Sequence, residues 1–475
     1  MTRRRIVKLA LLVVACVIAT ALGYGGYLVS RLAPIGAAYA AKTLCSGVFV
    51  SGRQPEEVMR EDILADNHPL LKAVWPAVDR TRQLASATFL GLALRQAQYR
   101  PGLGCTLAIG TERAQLPTLA LPAVLSPRDA APRGDDPPIG VAADASVDLP
   151  KLQAAIDDAF AEPDAARLRR TRALIVMHRG RILSERYAAG FSADMPLLGW
   201  SMTKSVTAAL IGTLVRGGKL STDRVALLPQ WSGPGDGRAR ITLDQLLRMT
   251  SGLRFRENHG DPLEDVALML FASADAAAYA IDKPLEFAPG THWSYSSGTS
   301  TILSRVIRLA VGGSEEDYLQ YPRRALFDRI GMRSAVIEPD ASGSLLASSY
   351  MYASARDWAR FGQLLLQDGV WHGEHLLPEG WVRYMATLTP QSVRRDFGAH
   401  LWLKVPPPFD SPVKPGPSLP SDAFHVVGHE GQFVSVMPSR ALVVVRLGLS
   451  RGSHVWDHDA FLARLLEAFP PVKPD

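Results

Sequence analysis

A run of 21 residues without a charge, near the N-terminus, is the feature that most restricts how this chain can fold. The run extends from Leu9 to Val29 and follows the basic segment MTRRRIVK. As a helix it would span about 31 Å, which matches the hydrocarbon core of a bilayer. Basic residues before such a run favour an N-terminus inside the cell. We therefore expect residues 1–32 to form an uncleaved membrane anchor, with a cleaved signal peptide as the alternative.

This orientation places the rest of the chain outside the cytoplasm. The expected location is the bacterial inner membrane, crossed once, with the body of the protein in the periplasm. Cys45 and Cys105 both follow the anchor, and thiols in an oxidising compartment can pair. We expect a Cys45–Cys105 disulfide, and two unpaired thiols are the alternative.

The composition indicates a globular chain with an internal linker. Hydrophobic residues make up 47% and charged residues 21% of the 475 residues, as in folded domains. Prolines recur between residues 117 and 138 and interrupt regular structure there. Beyond the anchor we expect an extension at 33–116, a Pro-rich linker at 117–150 and a main domain at 151–475.

The net charge of +6 raises the question of a nucleic-acid partner. Beyond the N-terminus the basic residues are dispersed, and they form no stripe interleaved with aromatic residues of the kind that binds nucleic acid. We expect no nucleic-acid partner. The sequence leaves the oligomeric state open.

Hydrophobic patterning from Lys151 onward predicts a mixed fold. RALIVMHRGRILSERYAAG reads as a β-hairpin that turns at Arg179 and Gly180. A helix-rich block follows, and it includes SARDWARFGQLLLQDG with apolar residues at helical spacing. Two strands, QFVSVMP and ALVVVRLGL, precede a closing helix, AFLARLLEAF. This order predicts one antiparallel sheet flanked by helices, with a mostly helical insertion.

The stretch GWSMTKS places Ser201 and Lys204 one helical turn apart, before an apolar, Ala-rich segment. Residues three apart share a helix face. One interpretation is a serine that caps the helix and a solvated lysine. The other is a serine nucleophile beside its base, since a partly buried lysine can lose its proton near neutral pH. The stretch alone does not decide between them.

Two later stretches supply groups that such a nucleophile needs. HWSYSSG carries Tyr295 and Ser297 in a loop, where a tyrosine beside a lysine ammonium can be stabilised as phenolate and relay a proton. An aromatic residue that merely packs in a loop is the alternative. GHEGQF carries His429, Gly431 and Gln432 before a strand.

The GHEGQF stretch predicts a binding turn. A glycine there would let the backbone approach a ligand closely, and His429 would bind or protonate substrate. The backbone N–H of Gln432, opposite that of Ser201, would form an oxyanion hole.

Ser-x-x-Lys, Tyr-x-Ser and His-x-Gly in this order resemble the serine β-lactamase and penicillin-binding protein superfamily. Within it, GWSMTKS, LLRMTSGL, FAPGTHWSYSSGTS, SARDWARFGQLLLQDGVW and GHEGQF are similar to class C-like serine hydrolases, particularly 6-aminohexanoate-dimer hydrolases and related esterases. The resemblance covers roughly residues 151–470. It implies an α/β (α+β) fold of the β-lactamase/DD-peptidase type.

The resemblance also implies roles for individual residues. Ser201 would be the acylated nucleophile, Lys204 its base and Tyr295 the catalytic tyrosine. Ser297 stands where many relatives have asparagine, and His429 where lactamases have lysine. The first difference removes an amide that could hold a substrate carbonyl, and the second removes a permanent cation that could hold a β-lactam carboxylate.

These observations predict a serine hydrolase that cleaves small-molecule amides or esters through an acyl-enzyme, without a metal or organic cofactor. One alternative is a penicillin-recognising DD-peptidase or β-lactamase. The other is a catalytically silent domain that binds cell-wall peptides or partners. Nylon-oligomer cleavage does not follow from the resemblance, because fold and motif do not determine the substrate.

Overall fold

The computed structural model describes residues 3–110, 116, 121, 146–406, 419–452 and 455–470. Most of the linker expected at 117–150 therefore lies outside the described residues. The helices are α1 Arg3–Cys45, α2 Pro55–Glu57, α3 Leu149–Phe160, α4 Met202–Arg216, α5 Leu243–Leu247, α6 Asp265–Phe271, α7 Ala276–Ile281, α8 Ser297–Val311, α9 Glu315–Pro322, α10 Ala355–Leu366, α11 Trp381–Met385 and α12 His458–Leu466. The strands are β1 Val74–Asp79, β2 Leu84–Phe89, β3 Leu92–Arg100, β4 Gly104–Leu107, β5 Thr171–His178, β6 Arg181–Tyr187, β7 Leu197–Leu198, β8 Val336–Ile337, β9 Met351–Ala353, β10 Val370–Trp371, β11 Glu374–His375, β12 Phe424–Gly428, β13 Gln432–Met437 and β14 Leu442–Gly448.

The main domain is built on an antiparallel sheet with the strand order β12-β13-β14-β5-β6. Successive side chains of a strand point to opposite faces, and the central strands are apolar at almost every position. Ile175 and Val445 therefore join one buried cluster, whereas Val176 and Val444 join another. Helices α3 and α12 belong to the second cluster, and α10 packs on the opposite face. The antiparallel sheet flanked by helices is the architecture that the sequence predicts.

Helix α4 is buried almost all round, from Met202 to Leu214. A helix without a polar stripe is stable in water only inside a protein, and α4 packs against α8 and strands β12 and β13. Its N-terminus meets the end of the five-stranded sheet. This placement fixes the GWSMTKS stretch between the sheet and the helical part of the domain.

The extension shares its core with the main domain. Helix α1 does not end at residue 32, and from Ala33 onward its buried side chains belong to the same cluster as those of α4. A four-stranded antiparallel sheet with the order β1-β2-β3-β4 packs along this part of α1. The structure joins Cys45 of α1 and Cys105 of β4 by a disulfide.

A buried ion pair connects the extension to the main domain. Lys42 Nζ lies 2.7 Å from Glu338 Oε2, and both side chains are inaccessible to solvent. The Glu338 carboxylate also accepts hydrogen bonds from Ser46 Oγ at 2.8 Å and from the Cys105 N–H at 2.6 Å. Both oxygen atoms of the Glu338 carboxylate thus have partners, as a buried carboxylate requires.

The N-terminal part of α1 is long and apolar enough to cross a membrane, judged by length and composition. Its side chains from Leu11 to Ile18 are exposed, in contrast to those after Ala33. An apolar helix surface that no protein covers is typical of a segment placed in lipid.

Candidate active site

Ser201 lies at the N-terminus of α4, and its side chain makes no capping hydrogen bond. Its Oγ instead accepts a hydrogen bond of 2.9 Å from Lys204 Nζ. The residue before it, Trp200, has a φ of +49°, which is uncommon for an aromatic residue and marks local backbone strain. Of the two interpretations of GWSMTKS, the structure therefore favours the paired serine and lysine.

Lys204 is surrounded by neutral oxygen atoms. Besides Ser201, its Nζ donates to Ser297 Oγ at 3.0 Å and to the Ser348 carbonyl at 2.9 Å. The side chain is buried, with 3% of the residue exposed. Burial lowers the pKa of Lys204 to about 8, although the negative charge of Glu257 opposes this shift. A substantial fraction of Lys204 is thus neutral near pH 8 and able to accept a proton.

Glu257 completes this group, and no sequence motif indicates it. Its Oε1 accepts a hydrogen bond of 2.5 Å from Ser297 Oγ, and its Oε2 accepts one of 2.7 Å from the Ser297 N–H. A chain of hydrogen bonds therefore runs from Glu257 through Ser297 and Lys204 to Ser201.

The position of Ser297 indicates a contact role inside the protein, and its role in substrate binding stays a prediction. Only 1% of Ser297 is exposed, and its hydroxyl already donates to Glu257 and accepts from Lys204. A hydroxyl with both functions used has little capacity left for a substrate. The structure thus places Ser297 behind the lysine as a link to the carboxylate.

Tyr295 lies beside the same lysine, with Lys204 Nζ 5.0 Å from the centre of its ring. Its hydroxyl hydrogen-bonds to Ser201, which lowers its pKa slightly, but burial and the charge of Glu257 raise the pKa of Tyr295 well above its usual value. The structure therefore does not favour the phenolate that the sequence suggested, because burial and the charge of Glu257 both disfavour the charged form of Tyr295. Tyr295 is a neutral phenol that can donate a proton.

The β12–β13 hairpin brings its turn to the nucleophile. Gly428 packs so closely that a Cβ there would lie 2.1 Å from the Gly199 carbonyl oxygen, so only glycine fits. Gln432 pairs with Gly428 across the hairpin. Its side chain is committed elsewhere, since Nε2 donates to the Gly448 carbonyl at 2.7 Å. Gln432 therefore has only its backbone to offer a substrate.

Gly431 has a different role from the one the sequence predicts. A Cβ at this position would lie 2.4 Å from Arg446 Nη1, and the backbone φ is +85°. Arg446 Nη1 donates to the Gly431 carbonyl at 2.7 Å. The glycine thus makes room for a buried arginine, and its contact with a ligand stays a prediction.

The His429 ring is exposed at the turn and stacks on His259, with ring centres 5.0 Å apart. It also meets the edge of Trp200 at 5.8 Å. The surrounding protein lowers the pKa of both histidines, that of His259 to about 4. Both rings are neutral at pH 7, so His429 offers a substrate hydrogen bonds rather than a cation. No sequence motif indicates His259.

Glu430 ties this turn to the extension. It accepts hydrogen bonds from Trp200 Nε1 at 3.1 Å and from Arg451 Nε at 2.5 Å. Arg451 in turn donates to the carbonyls of Asp62 and Ala65, both at 2.6 Å. Two hydrogen-bonded side chains therefore connect the extension to the residue that precedes Ser201.

Comparison with known proteins identifies the family of this chain. The model of the Beta-lactamase family matches residues 156–468. The chain belongs to the Beta-lactamase family. Its match covers the sheet, α4 and the β12–β13 hairpin, and confirms the resemblance seen in the sequence motifs.

Individual relatives refine this placement within the Beta-lactamase family. The 6-aminohexanoate-dimer hydrolase of Paenarthrobacter ureafaciens is 26% identical over 224 residues, which cover 45% of this chain and 56% of the relative. The chain thus spans about half the length of the curated relatives it matches.

Two solved structures share the fold. A Bacillus anthracis protein assigned as a 6-aminohexanoate-dimer hydrolase has a TM-score of 0.53 and 22% identity, with 67% of this chain and 83% of that chain covered. A Bacteroides dorei protein assigned as a beta-lactamase has a TM-score of 0.54 and 18% identity, with 68% and 99% covered. These likenesses confirm the predicted β-lactamase-type fold.

Proposed function

We propose that this chain is a serine hydrolase that cleaves amide or ester bonds of small molecules through an acyl-enzyme on Ser201. The observation that supports this most is the 2.9 Å hydrogen bond between Ser201 Oγ and Lys204 Nζ, at a lysine whose pKa burial lowers to about 8. A serine needs such a base to act as a nucleophile near neutral pH.

The proposed acylation begins with neutral Lys204, which takes the proton of Ser201 as its Oγ attacks the substrate carbonyl. The backbone N–H groups of Ser201 and Gln432 would stabilise the oxyanion, at about 3–4 kcal/mol per donor. Tyr295 then gives its proton to the leaving amine or alkoxide and regains one from the Lys204 ammonium. Water then attacks the acyl carbonyl while the proton transfers run in the reverse direction. Ser201 Oγ leaves with a proton, and the acid is released.

A penicillin-recognising peptidase or β-lactamase is the second candidate, and membership of the Beta-lactamase family favours it. Against it stands His429, whose lowered pKa leaves it neutral at pH 7. A neutral ring holds a substrate carboxylate more weakly than a permanent cation does.

Two reagents separate these candidates. The full chain is incubated with a fluorescent fluorophosphonate and with a fluorescent penicillin, and Ser201→Ala is the control for both. We expect labelling by the fluorophosphonate alone. Labelling of the wild type by penicillin would favour the second candidate, and no labelling of the folded wild type by either reagent would contradict the proposed activity.

We also propose that α1 anchors the protein in the bacterial inner membrane, with the main domain in the periplasm. The apolar, exposed first part of α1 and the basic residues before it support this arrangement. The buried Cys45–Cys105 disulfide agrees with an oxidising compartment.

A further inference from the structure

The extension exposes an apolar patch on its sheet, formed by Leu70, Trp75, Leu90, Leu92 and Leu94. We call these five residues the sheet patch. Trp75 is 58% exposed and Leu92 is 65% exposed. Outside the apolar run of α1, half of the exposed large apolar side chains in the described part of the chain belong to this patch. Such clustering marks an interaction surface, whereas scattered exposed leucines do not.

The members of the sheet patch lie next to one another. The Trp75 ring covers the β2–β3 turn, where its Cζ3 would lie 3.4 Å from a Cβ on Gly91. The Leu90 N–H donates to the Ala73 carbonyl at 2.9 Å, which joins this turn to the start of β1. Leu92 and Leu94 are two residues apart at the start of β3, and both side chains are exposed.

The sheet patch lies at the end of the extension nearest to the apolar run of α1. Leu71, beside Leu70, packs against the helix at Gly36, where its Cδ2 would lie 3.7 Å from a Cβ. Gly36 is seven residues after Val29, or about 10 Å further along the helix. The segment that carries Leu70 and Leu71 thus meets α1 about one helix diameter from the apolar run, measured along the helix axis.

The direction of β3 places its turn with β2 at this same end of the extension. At its far end Tyr99 pairs with Cys105, which is bonded to Cys45. From there β3 runs back to Leu92 over seven residues, about 23 Å. The β2–β3 turn is hydrogen-bonded to Ala73, two residues after Leu71, and therefore lies near the Gly36 end of this part of α1 rather than near Cys45.

We propose that the sheet patch inserts into the surface of the lipid bilayer beside α1, as a second membrane contact. This inference rests on the proposed anchor. Tryptophan is favoured at the boundary between headgroups and acyl chains, and leucines add buried apolar area. Exposed Lys72 lies two residues after Leu70, and exposed Arg31 follows the apolar run on α1, so both can supply cations for lipid phosphates. A single helix leaves the body free to rotate and tilt, and a second contact fixes its orientation.

The test measures the depth of single fluorophores in the full chain. The protein is reconstituted in phosphatidylcholine–phosphatidylglycerol nanodiscs that contain lipids with nitroxide quenchers on their acyl chains. A bimane label is placed at Leu92→Cys in a Cys16→Ser background. The matched control is Arg82→Cys, an exposed residue in the β1–β2 turn at the opposite end of the hairpin. We expect the label at 92 to lose most of its fluorescence and the label at 82 to lose little.

A third label, on native Cys16 within the apolar run, separates failure of the patch from failure of the anchor. Quenching at 16 without quenching at 92 would refute the sheet patch and leave the anchor standing. Absence of quenching at 16 would refute the anchor and the patch together. A label at 92 that neither lipid quenchers nor aqueous iodide reach would show that protein covers the patch, which also overturns the proposal.

Discussion

The charge of Glu257 should control the proton affinity of Lys204, and Glu257→Gln tests this. Hydrogen bonds of 2.5 Å and 3.0 Å through Ser297 Oγ place the carboxylate within about 5.5 Å of Lys204 Nζ. At an effective dielectric constant of about 20, unit charges at this distance attract by about 3 kcal/mol. Since one pKa unit equals about 1.4 kcal/mol, loss of the charge lowers the pKa of Lys204 by about two units, from about 8 to about 6.

This shift has a sign that a pH profile can detect. At pH 6 the neutral fraction of Lys204 rises from about 1% in the wild type to about 50% in Glu257→Gln. The midpoint of the fluorophosphonate labelling rate should therefore move from near pH 8 to near pH 6. The plateau above pH 9 should fall, because a less basic lysine accepts a proton less readily.

The assay records labelling rates of the full chain between pH 5 and pH 10. Glutamine keeps the size of the side chain and one acceptor for Ser297, so the fold is preserved. Glu374→Gln is the matched control, because its carboxylate pairs with Arg329 at the surface. A folded Glu257→Gln variant whose midpoint stays near pH 8, or moves upward, would refute the claim that Glu257 controls Lys204.

Two further predictions concern the base and the extension. Lys204→Ala should slow fluorophosphonate labelling as severely as Ser201→Ala, because nucleophile and base act as a unit; near-normal labelling would show that another base serves. Lys42→Met should lower the free energy of unfolding by about 3–5 kcal/mol, since it leaves Glu338 buried without a counter-charge. Urea unfolding measures this loss, and adding Glu338→Gln should restore part of it. A Lys42→Met protein as stable as the wild type would show that the ion pair does not hold the extension.

The sequence predicted those parts of the fold in which one short segment carries its own signal. The hairpin at Arg179 and Gly180, helix α10 and strands β13 and β14 have regular apolar spacing over six or more residues. The pair Ser201 and Lys204 was predictable for the same reason, because one helical turn fixes their geometry whatever surrounds them.

Other features depend on contacts between distant segments, and no local pattern contains them. Glu257 and Ser297 are forty residues apart in sequence and meet only in the fold. Of two adjacent serines, Ser296 caps α8 through the Thr299 N–H, and Ser297 turns inward toward Lys204. Sequence alone does not say which of the two faces the lysine. The extension lacks strong periodicity and is ordered by the core it shares with the main domain.

The opposite pKa shifts of Lys204 and Tyr295 assign their roles more firmly than either residue does alone. Burial disfavours the charged form of both groups, which lowers the pKa of a lysine and raises that of a tyrosine. Glu257 adds to the shift of Tyr295 and opposes that of Lys204. The resting site therefore holds a lysine that loses its proton readily beside a tyrosine that keeps its own. Groups separated in this way can act as base and acid respectively, which supports the proposed mechanism, in which the proton of Ser201 goes to Lys204 and the leaving group takes its proton from Tyr295.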